Sequence, residues 1–479
     1  MMSGLLSIAR AEWQFWLRSR LAVGALLIFA LLLVATSLVT ALRMSNAQHE
    51  RAHQQTAAEE TFLSQPDRHP HRMVHYGHYV FRIPPPLSII DPGVDSVTGE
   101  SMFLEGHRQN TAMFADARAS AELGGFETLT AALAYQLFLP LLLIAIGHGL
   151  IIREREENTL APLLAHGVTG IQLYFAKWMA LAGASLAMLL PLAVMCAYAF
   201  FQDSAPLASA GVIGIYALYL LVWCSLILLV SSVVRSRSLS LGILALVWLS
   251  AALIVPRIAV ESASSAVPAP GKLETDYNMQ AELREVGDGH DAGTPRFLQL
   301  QADLLAEYDA TRLEDLPVNF RGVVAQVAEA DLTEVMNRHA DARMALEADQ
   351  ARIAASFGWL SPVVAVSAGS RALAGTDLAT HHQFLRKAEA VRFDFVQGLN
   401  RVHTEQLAYS DDINRSTDGE AERRARMSAD NWNVLDQFVF KPDAGGERLA
   451  RAYQPFAMLI AWLLVLSAIG IRIARKVQP

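Results

Sequence analysis

The fold of this chain is set by a long apolar run, TLTAALAYQLFLPLLLIAIGHGLII (128–152), and by the polar stretch that follows it, REREENTLAPLLAHGVTG (153–170). About 20 apolar residues in a helix are enough to cross the hydrocarbon core of a bilayer. The polar stretch opens with five charged residues, and a further apolar run begins at residue 178. This pattern predicts a chain that leaves a membrane, forms a short structured segment and enters the membrane again.

Similar apolar runs recur along the whole chain. We predict six transmembrane helices, at 21–42, 128–152, 178–201, 207–234, 239–256 and 452–471. Composition agrees, because only 18% of the 479 residues are charged, below the roughly 25% of a soluble domain. The net charge of −8 and the lack of a basic cluster with interleaved aromatic residues exclude a nucleic-acid partner. The two cysteines, Cys196 and Cys224, lie in apolar runs, which excludes a disulfide framework.

Basic residues predict the orientation of these helices. Loops rich in lysine and arginine stay in the cytoplasm, and six spans place four basic regions on one side. These regions contain Arg10, Arg18, Arg20, Arg153, Arg155, Lys177, Arg235, Arg237, Arg472, Arg475 and Lys476. The sequence therefore predicts an all-α polytopic membrane protein of the bacterial inner membrane, with both termini in the cytoplasm and a mostly helical periplasmic domain.

The remaining segments complete this plan. Residues 1–20 are expected to form a cytoplasmic interfacial helix, 153–177 a cytoplasmic loop and 472–479 a cytoplasmic tail. Residues 43–127 and 257–451 are expected in the periplasm, the second as long polar helices paired antiparallel on the fifth and sixth spans. Within the first, FRIPPPLSIIDPG (81–93) cannot be helical through its prolines.

Histidines are concentrated in HPHRMVHYGHY (69–79), outside the predicted spans. Imidazoles at this spacing are potential zinc or copper ligands, and His71, His75 and His78 could share one face of a helix. Pro70 and Gly77 weaken that helix. The alternative is a loop whose histidines and tyrosines form hydrogen bonds with the rest of the domain.

The stretch after residue 152 predicts a short amphipathic helix at about 157–167. Leu160, Leu163 and Leu164 form one apolar stripe, and Glu156 and Glu157 would favour the dipole in its first turn. Such a stripe suits a groove on a partner protein, and it would also suit the surface of a lipid bilayer. The sequence contains no G-x-x-x-x-G-K-[ST] phosphate loop, so the chain itself is not expected to hydrolyse ATP.

The pattern E-R-E-x-x-T-L-x-x-L-L-x-x-x-V-[ST] also resembles the coupling helix of ATP-binding-cassette (ABC) exporter permeases of the type-2 class. It is formed here by Glu154, Arg155, Glu156, Thr159, Leu160, Leu163, Leu164, Val168 and Thr169. The resemblance implies that this helix docks on an ABC ATPase subunit, with ATP and Mg²⁺ bound by that partner and no cofactor in this chain. Residues 75–110 and 360–392 further resemble a subgroup with large external inserts, related to permeases for multicopper-enzyme maturation.

Our preferred hypothesis is therefore the membrane subunit of an ATP-driven export or mechanotransmission complex. Arg153, Glu154, Arg155, Glu156 and Glu157 would orient the coupling helix through ion pairs, with Thr159 at its start, and the three leucines would fill the groove. A pair of ATPase subunits requires two membrane halves, so we expect a second permease copy or a paralogue. The alternatives are a membrane enzyme that uses the histidines to bind a metal, and a scaffold or sensor that binds a periplasmic protein.

Overall fold

The computed structural model describes residues 2–113, 129–203, 205–287, 289–434 and 438–476. Within these residues the protein is an all-α polytopic membrane protein, as predicted, and its sheet is a two-stranded antiparallel hairpin. The expected boundary between the segment 43–127 and the second span falls within 114–128, outside the described residues.

The elements are given in chain order. The first part contains α1 (Met2–Arg18), α2 (Arg20–Leu63), α3 (Pro70–Tyr76), β1 (His78–Phe81), a 3₁₀ turn (Pro86–Ile89), α4 (Asp95–Thr98) and β2 (Ser101–Leu104). The next part contains α5 (Ala131–Leu133), a π-helical segment (Ala134–Phe138), α6 (Leu139–Gly147), α7 (Ile152–Glu156), α8 (Leu160–Ala165), α9 (Gly170–Ala187), α10 (Leu190–Asp203), α11 (Pro206–Val233), α12 (Arg237–Leu249), a π-helical segment (Ser250–Ile254) and α13 (Val255–Ala266). The last part contains α14 (Lys272–Val286), α15 (Pro295–Glu307), a 3₁₀ turn (Leu313–Asp315), α16 (Phe320–Ser356), a 3₁₀ turn (Phe357–Trp359), α17 (Pro362–Ala374), α18 (Leu378–Gln406), α19 (Tyr409–Asn414), α20 (Gly419–Arg424), a 3₁₀ turn (Ala429–Val434), α21 (Gly445–Arg451) and α22 (Tyr453–Ala474).

Five helical runs are long and apolar enough to cross a membrane, and a bent pair of helices would be a sixth. The five runs are Ala22–Leu63, Ala131–Glu156, Pro206–Val233, Arg237–Ala266 and Tyr453–Ala474, and the bent pair is Gly170–Ala187 with Leu190–Gln202. These six regions correspond to the six apolar runs of the sequence.

The bend of 41° between α9 and α10 has a local cause. Pro191 has no amide hydrogen and its ring clashes with the carbonyl four residues earlier, which interrupts a helix. The hydroxyl of Tyr135 bridges the break, because it donates to the Met188 carbonyl at 3.0 Å and accepts from the Leu192 amide at 3.2 Å. The backbone groups released by the bend are therefore satisfied inside the protein, as a lipid environment requires.

Helix α2 continues far beyond the first apolar run. Its 44 residues extend for about 66 Å at 1.5 Å per residue, roughly twice the hydrocarbon thickness of a membrane. Hydropathy predicts the end of the first span at residue 42, whereas the helix itself continues to Leu63. The reason is that MSNAQHERAHQQTAAEETFL (44–63) contains no proline or glycine and is rich in good helix formers.

The polar domain, which we define as residues 64–113 and 267–451 without α17, is organised around α16 and α18. His382 bonds Glu347 at 2.7 Å near one end of the pair, and Asn400 bonds the Ala325 carbonyl at 3.3 Å near the other. Residues later in α18 contact residues earlier in α16, so the two helices are antiparallel. The hairpin β1–β2 and α3 pack on α18 through an apolar cluster that includes Met73, Val80, Leu104, Phe384 and Phe395.

Helix α17 lies among the membrane helices although it is only 13 residues long. Its apolar residues, including Val366 and Leu373, belong to the same core cluster as those of α11 and α22. A Cβ atom at Gly369 would lie 2.1 Å from the end of the Ile215 side chain on α11, which would have to move to admit a larger residue. Ser361 caps α17 and donates to the Ala251 carbonyl in a π-helical segment at 2.6 Å. Helix α17 thus fixes the polar domain to the spans.

A buried charge cluster joins α16 to α18. The guanidinium of Arg392, fully inaccessible to solvent, contacts Glu389 at 2.7 Å, Thr333 at 2.7 Å and the carboxylate of Glu329. Burial opposes ionisation of Glu329, but contacts with His107 and Arg392 lower its pKa to about 2. One guanidinium therefore contacts two buried carboxylates between the two helices.

Replacement of Arg392 by methionine is expected to destabilise the polar domain by about 3–5 kcal/mol, because it leaves two buried carboxylates without their cation. The exposed Arg386, which pairs with Asp341 at 2.8 Å, provides the matched control. Arg386→Met should cost less than about 1 kcal/mol. Thermal unfolding of the full chain in detergent, followed by circular dichroism, measures both effects, and equal shifts for the two variants would contradict this account.

Candidate functional site

The loop between the second and third spans is built from two short helices rather than one. A turn at 148–151 separates α6 from α7, which carries the charges, and α8 follows after Asn158. Asn158 has φ +55°, a left-handed conformation that asparagine tolerates better than most residues. The amphipathic helix therefore begins at Leu160, later than the expected residue 157, and Glu156 and Glu157 precede it.

Glu154 and Thr159 close the connection between α7 and α8. The Thr159 amide donates to the Glu154 carbonyl at 2.9 Å, and the Thr159 hydroxyl contacts the Glu154 carboxylate. Gly167, with φ +85°, then ends α8, and Thr169 forms a capping box with Gln172 at the start of α9. The loop is thus a defined structure with local bonds at both of its turns.

Lys177 lies at the centre of a buried charge network at this end of the spans. Its ammonium contacts the carboxylates of Glu12 on α1 and Glu154 on α7, and only 2% of its side chain is exposed. Arg153 binds the same Glu12 oxygen and lies 3.9 Å from the ring centre of Phe15. Two cations and two anions therefore neutralise one another where α1, α7 and α9 meet.

A second, more exposed contact joins the loop to the fourth and fifth spans. Arg237, at the start of α12, binds Glu156 at 2.5 Å and Glu157 at 2.9 Å. Arg155 donates to the Val234 carbonyl at 3.5 Å. Exposed pairs contribute little stability, but these contacts fix the position of α7 relative to the helices on either side of residue 235.

The turn before α7 is bonded to the same two spans. The Ile151 amide donates to the hydroxyl of Ser231 on α11 at 3.0 Å, and Ser240 on α12 donates to the His148 carbonyl at 2.8 Å. The backbone groups exposed by the turn are thus satisfied by neighbouring helices. A shift of α7 would consequently change contacts with α1, α9, α11 and α12.

The leucine stripe of α8 faces the protein itself. Leu160 is buried in the core of the spans, and Leu163 and Leu164 are half-buried against that core. The outward face consists of Ala161, Pro162, Ala165 and His166, all exposed. The surface that α8 offers to another molecule is therefore small and flat, with only the edges of two leucines.

The structure brings together two of the three histidines singled out in the sequence. His71 and His75 lie on α3, and their Nε2 atoms are 3.2 Å apart. His78 lies apart from them at the start of β1, where its buried ring packs 5.8 Å from that of Phe62. His107 and His290 join the pair instead. They were not singled out in the sequence because 32 or more residues separate them from His75.

Glu12 and Arg237 are also residues whose partners only the structure reveals. Lys177 could have been singled out from the sequence. It lies within the otherwise apolar helical stretch GIQLYFAKWMALAG (170–183), where a basic side chain is costly unless it is paired with an anion. The sequence did not show which anion it meets.

The fold and the loop define a class of protein: a multi-pass membrane protein whose spans are tied to a structured, ion-paired loop. Residues 110–259, which contain this loop, match the family model of the ABC-2 family transporter proteins. Residues 272–441, most of the polar domain, match that of a domain of unknown function, DUF3526. No curated protein matches the chain.

The match over residues 110–259 supports an ABC-2 type permease, as the resemblance to that class predicted, and with it a permease subunit of an ABC transporter. Proteins of this family are generally non-enzymatic membrane subunits that function with an ABC ATPase. The relation to multicopper-enzyme-maturation permeases stays a prediction.

Replacement of Lys177 by methionine is expected to destabilise the protein by about 3–5 kcal/mol, since Glu12 and Glu154 would be left buried with Arg153 as the remaining cation of the network. The double variant Glu12→Gln/Lys177→Met should be less destabilised than the sum of its single variants, because both substitutions act on one network. Thermal unfolding in detergent measures this cycle, with the exposed Arg10→Met as control. Additive effects would show that the network does not hold the loop.

Proposed function

We propose that this permease is driven by a separate pair of ABC ATPase subunits that dock on the outward face of α8. The observation that supports this proposal is the attachment of the loop. Lys177 and Arg237 tie α7 to helices before and after it in the chain, while Ala161, Pro162 and Ala165 stay exposed. A protein bound to that face could therefore move several spans together.

The three leucines of α8 were expected to fill a groove on the ATPase subunit, and we assign them a different role. Leu160 anchors α8 to the spans, and Leu163 and Leu164 contribute only their edges to the docking surface. Glu154, Arg155, Glu156 and the other charges hold the loop through intramolecular pairs. ATP and Mg²⁺ belong to the partner, since this sequence contains no phosphate loop.

The contacts of α11 provide a route from the loop to the polar domain. Ser231 bonds the loop at one end of α11, as described above. Fifteen residues earlier, about 22 Å along the helix, the Tyr216 hydroxyl meets Ser370 of α17 at 3.0 Å and accepts from Gln136 at 3.0 Å. Since α17 fixes the polar domain to the spans, we propose that ATP-driven tilting of the spans reaches that domain, in export or in mechanotransmission.

The same proposal assigns sides to the membrane. Three of the four basic regions are in contact through α1, α7 and Arg237, which supports their location on one side. We assign that side, and both termini, to the cytoplasm of a bacterial cell, and the polar domain to the periplasm. A pair of ATPase subunits then requires a second permease copy or a paralogue, and the polar domain is available to a periplasmic protein.

Cysteine labelling tests the assigned sides. Cys196 and Cys224 are buried in the native chain, so an added exposed cysteine gives the signal. A membrane-impermeant maleimide applied to intact spheroplasts should label Ala281→Cys, on α14, and should label Ala165→Cys, on α8, only after permeabilisation. Labelling in the reverse order would overturn the orientation.

Docking is tested with matched substitutions at exposed helical alanines. Ala165→Arg should reduce the ATPase subunit and the ATP hydrolysis that co-purify with the tagged chain by roughly tenfold or more, because a loss above about 1.4 kcal/mol at an interface gives that factor. Ala281→Arg, in the polar domain, should leave both unchanged. Quantitative mass spectrometry and a phosphate-release assay of the purified complex provide the readouts.

Two results would contradict the proposal. An undiminished ATPase content in Ala165→Arg would mean that α8 is not the docking surface. Purification of the native chain without any phosphate-loop ATPase would favour the scaffold or sensor hypothesis.

A further inference from the structure

Four histidines from three separate parts of the polar domain converge on one point. His71 and His75 come from α3, His107 from the turn after β2, and His290 from the loop between α14 and α15. One ring nitrogen of each lies within 4.8 Å of the corresponding nitrogen of every other. Segments more than 200 residues apart in sequence therefore present imidazoles to a common centre.

Hydrogen bonding among the rings does not account for this arrangement. The Nε2 atom of His71 lies 3.2 Å from Nε2 of His75 and 3.3 Å from Nε2 of His290. A ring nitrogen has either one proton or one in-plane lone pair, so His71 Nε2 can form only one of these bonds at a time. A cation at the centre, by contrast, accepts the lone pairs of all the rings together.

A neutral imidazole binds a metal through the lone pair of one ring nitrogen. The buried Nε2 of His107 has no hydrogen-bond partner among the described residues, so its capacity to bind is unused within the protein.

The two nitrogen–nitrogen separations that involve His71 match those around a tetrahedral ion. Zinc–nitrogen bonds of 2.0–2.1 Å at tetrahedral angles place neighbouring nitrogens about 3.3–3.4 Å apart. Square-planar geometry, typical of Cu²⁺, would place adjacent nitrogens nearer to about 2.8 Å for bonds of similar length. The observed 3.2 and 3.3 Å agree with the tetrahedral arrangement.

A buried carboxylate contacts the ring of His107, an arrangement that is common at metal-binding histidines. A carboxylate oxygen of Glu329, fully buried, lies 3.1 Å from Nδ1 of His107 and accepts the His107 backbone amide at 3.0 Å. Glu329 is itself held by Arg392. His107 has φ +63°, a conformation that is uncommon for a residue other than glycine and that recurs at functional sites.

Helix α3 is also fixed in place. Nδ1 of His69 accepts the His71 amide at 3.2 Å and caps the helix, while Nε2 of His69 bonds Asp412 at 3.1 Å. Asp412 also bonds His403 at 2.7 Å. This second group of histidines and a carboxylate is internally hydrogen-bonded and supports the first.

We propose that His71, His75, His107 and His290 bind one Zn²⁺ ion in a closed, structural site. Four protein ligands fill a tetrahedron and leave no position for a reactive water, unlike catalytic zinc sites with three ligands. The ion fastens residues 289–294 to α3 and to the turn after β2. The site thus stabilises the polar domain and does not provide the metal-dependent enzyme considered from the sequence.

Metal binding by the full chain in detergent tests this proposal. After treatment with a chelator, the protein should bind one Zn²⁺ per chain in competition with a chromophoric chelator, and Co²⁺ should give the intense visible bands of four-coordinate cobalt. The variant His75→Ala/His290→Ala should bind Zn²⁺ at least 10- to 100-fold more weakly, no less than the loss expected for an outer-shell partner. Both residues are exposed, so their substitution should not unfold the domain.

The matched control is His49→Ala/His53→Ala, an exposed i, i+4 pair on α2 outside the cluster. It should bind as the native chain does, and circular dichroism of all variants should be alike. Unchanged zinc affinity in His75→Ala/His290→Ala, an equal loss in the control pair, or the weak spectrum of six-coordinate cobalt would overturn the proposal. None of these measurements depends on the ATPase, so they are independent of the docking experiment.

Discussion

The position of the loop between the second and third spans depends on one buried ammonium group. Lys177 has to meet carboxylates, because an unpaired charge among membrane helices is costly, and it meets one from α1 and one from α7. Such a network adds less to stability than its short contacts suggest, since desolvation offsets much of the attraction. Its effect is geometric: the loop has one position in which all four charges are paired.

The opposite end of the spans is organised by polar groups of a different kind. Hydroxyl and amide side chains of Tyr216, Gln136 and Ser370 bond one another, and Ser361 bonds a carbonyl in a π-helical segment. π-Helical segments leave carbonyls without their usual helical donors, and side chains from neighbouring helices supply the missing bonds. Trp248 does so at the Leu137 carbonyl, at 2.9 Å. Both ends of the bundle are therefore joined by directional bonds within an otherwise apolar core.

In the polar domain, the sequence pattern predicts the long helices but not how α17 packs. The antiparallel pairing of its long helices could be expected from their polarity and length, but the insertion of α17 among the spans could not. A 13-residue apolar helix is too short to cross a membrane, so hydropathy gives it no location. Only its contacts with α11 and α22, including the close approach at Gly369, show that it packs against the spans.

The sequence by itself determined the class of protein, the six apolar regions and the loop that joins the second to the third. These features follow from hydrophobic length and from charge, which are properties of contiguous residues. Tertiary structure alone decided which charges pair, which way the α8 leucines face, and that His107 and His290 rather than His78 lie with His71 and His75. The physical reason is that pairing, burial and ligand geometry depend on residues distant in the chain, and their meeting is fixed only when the helices pack.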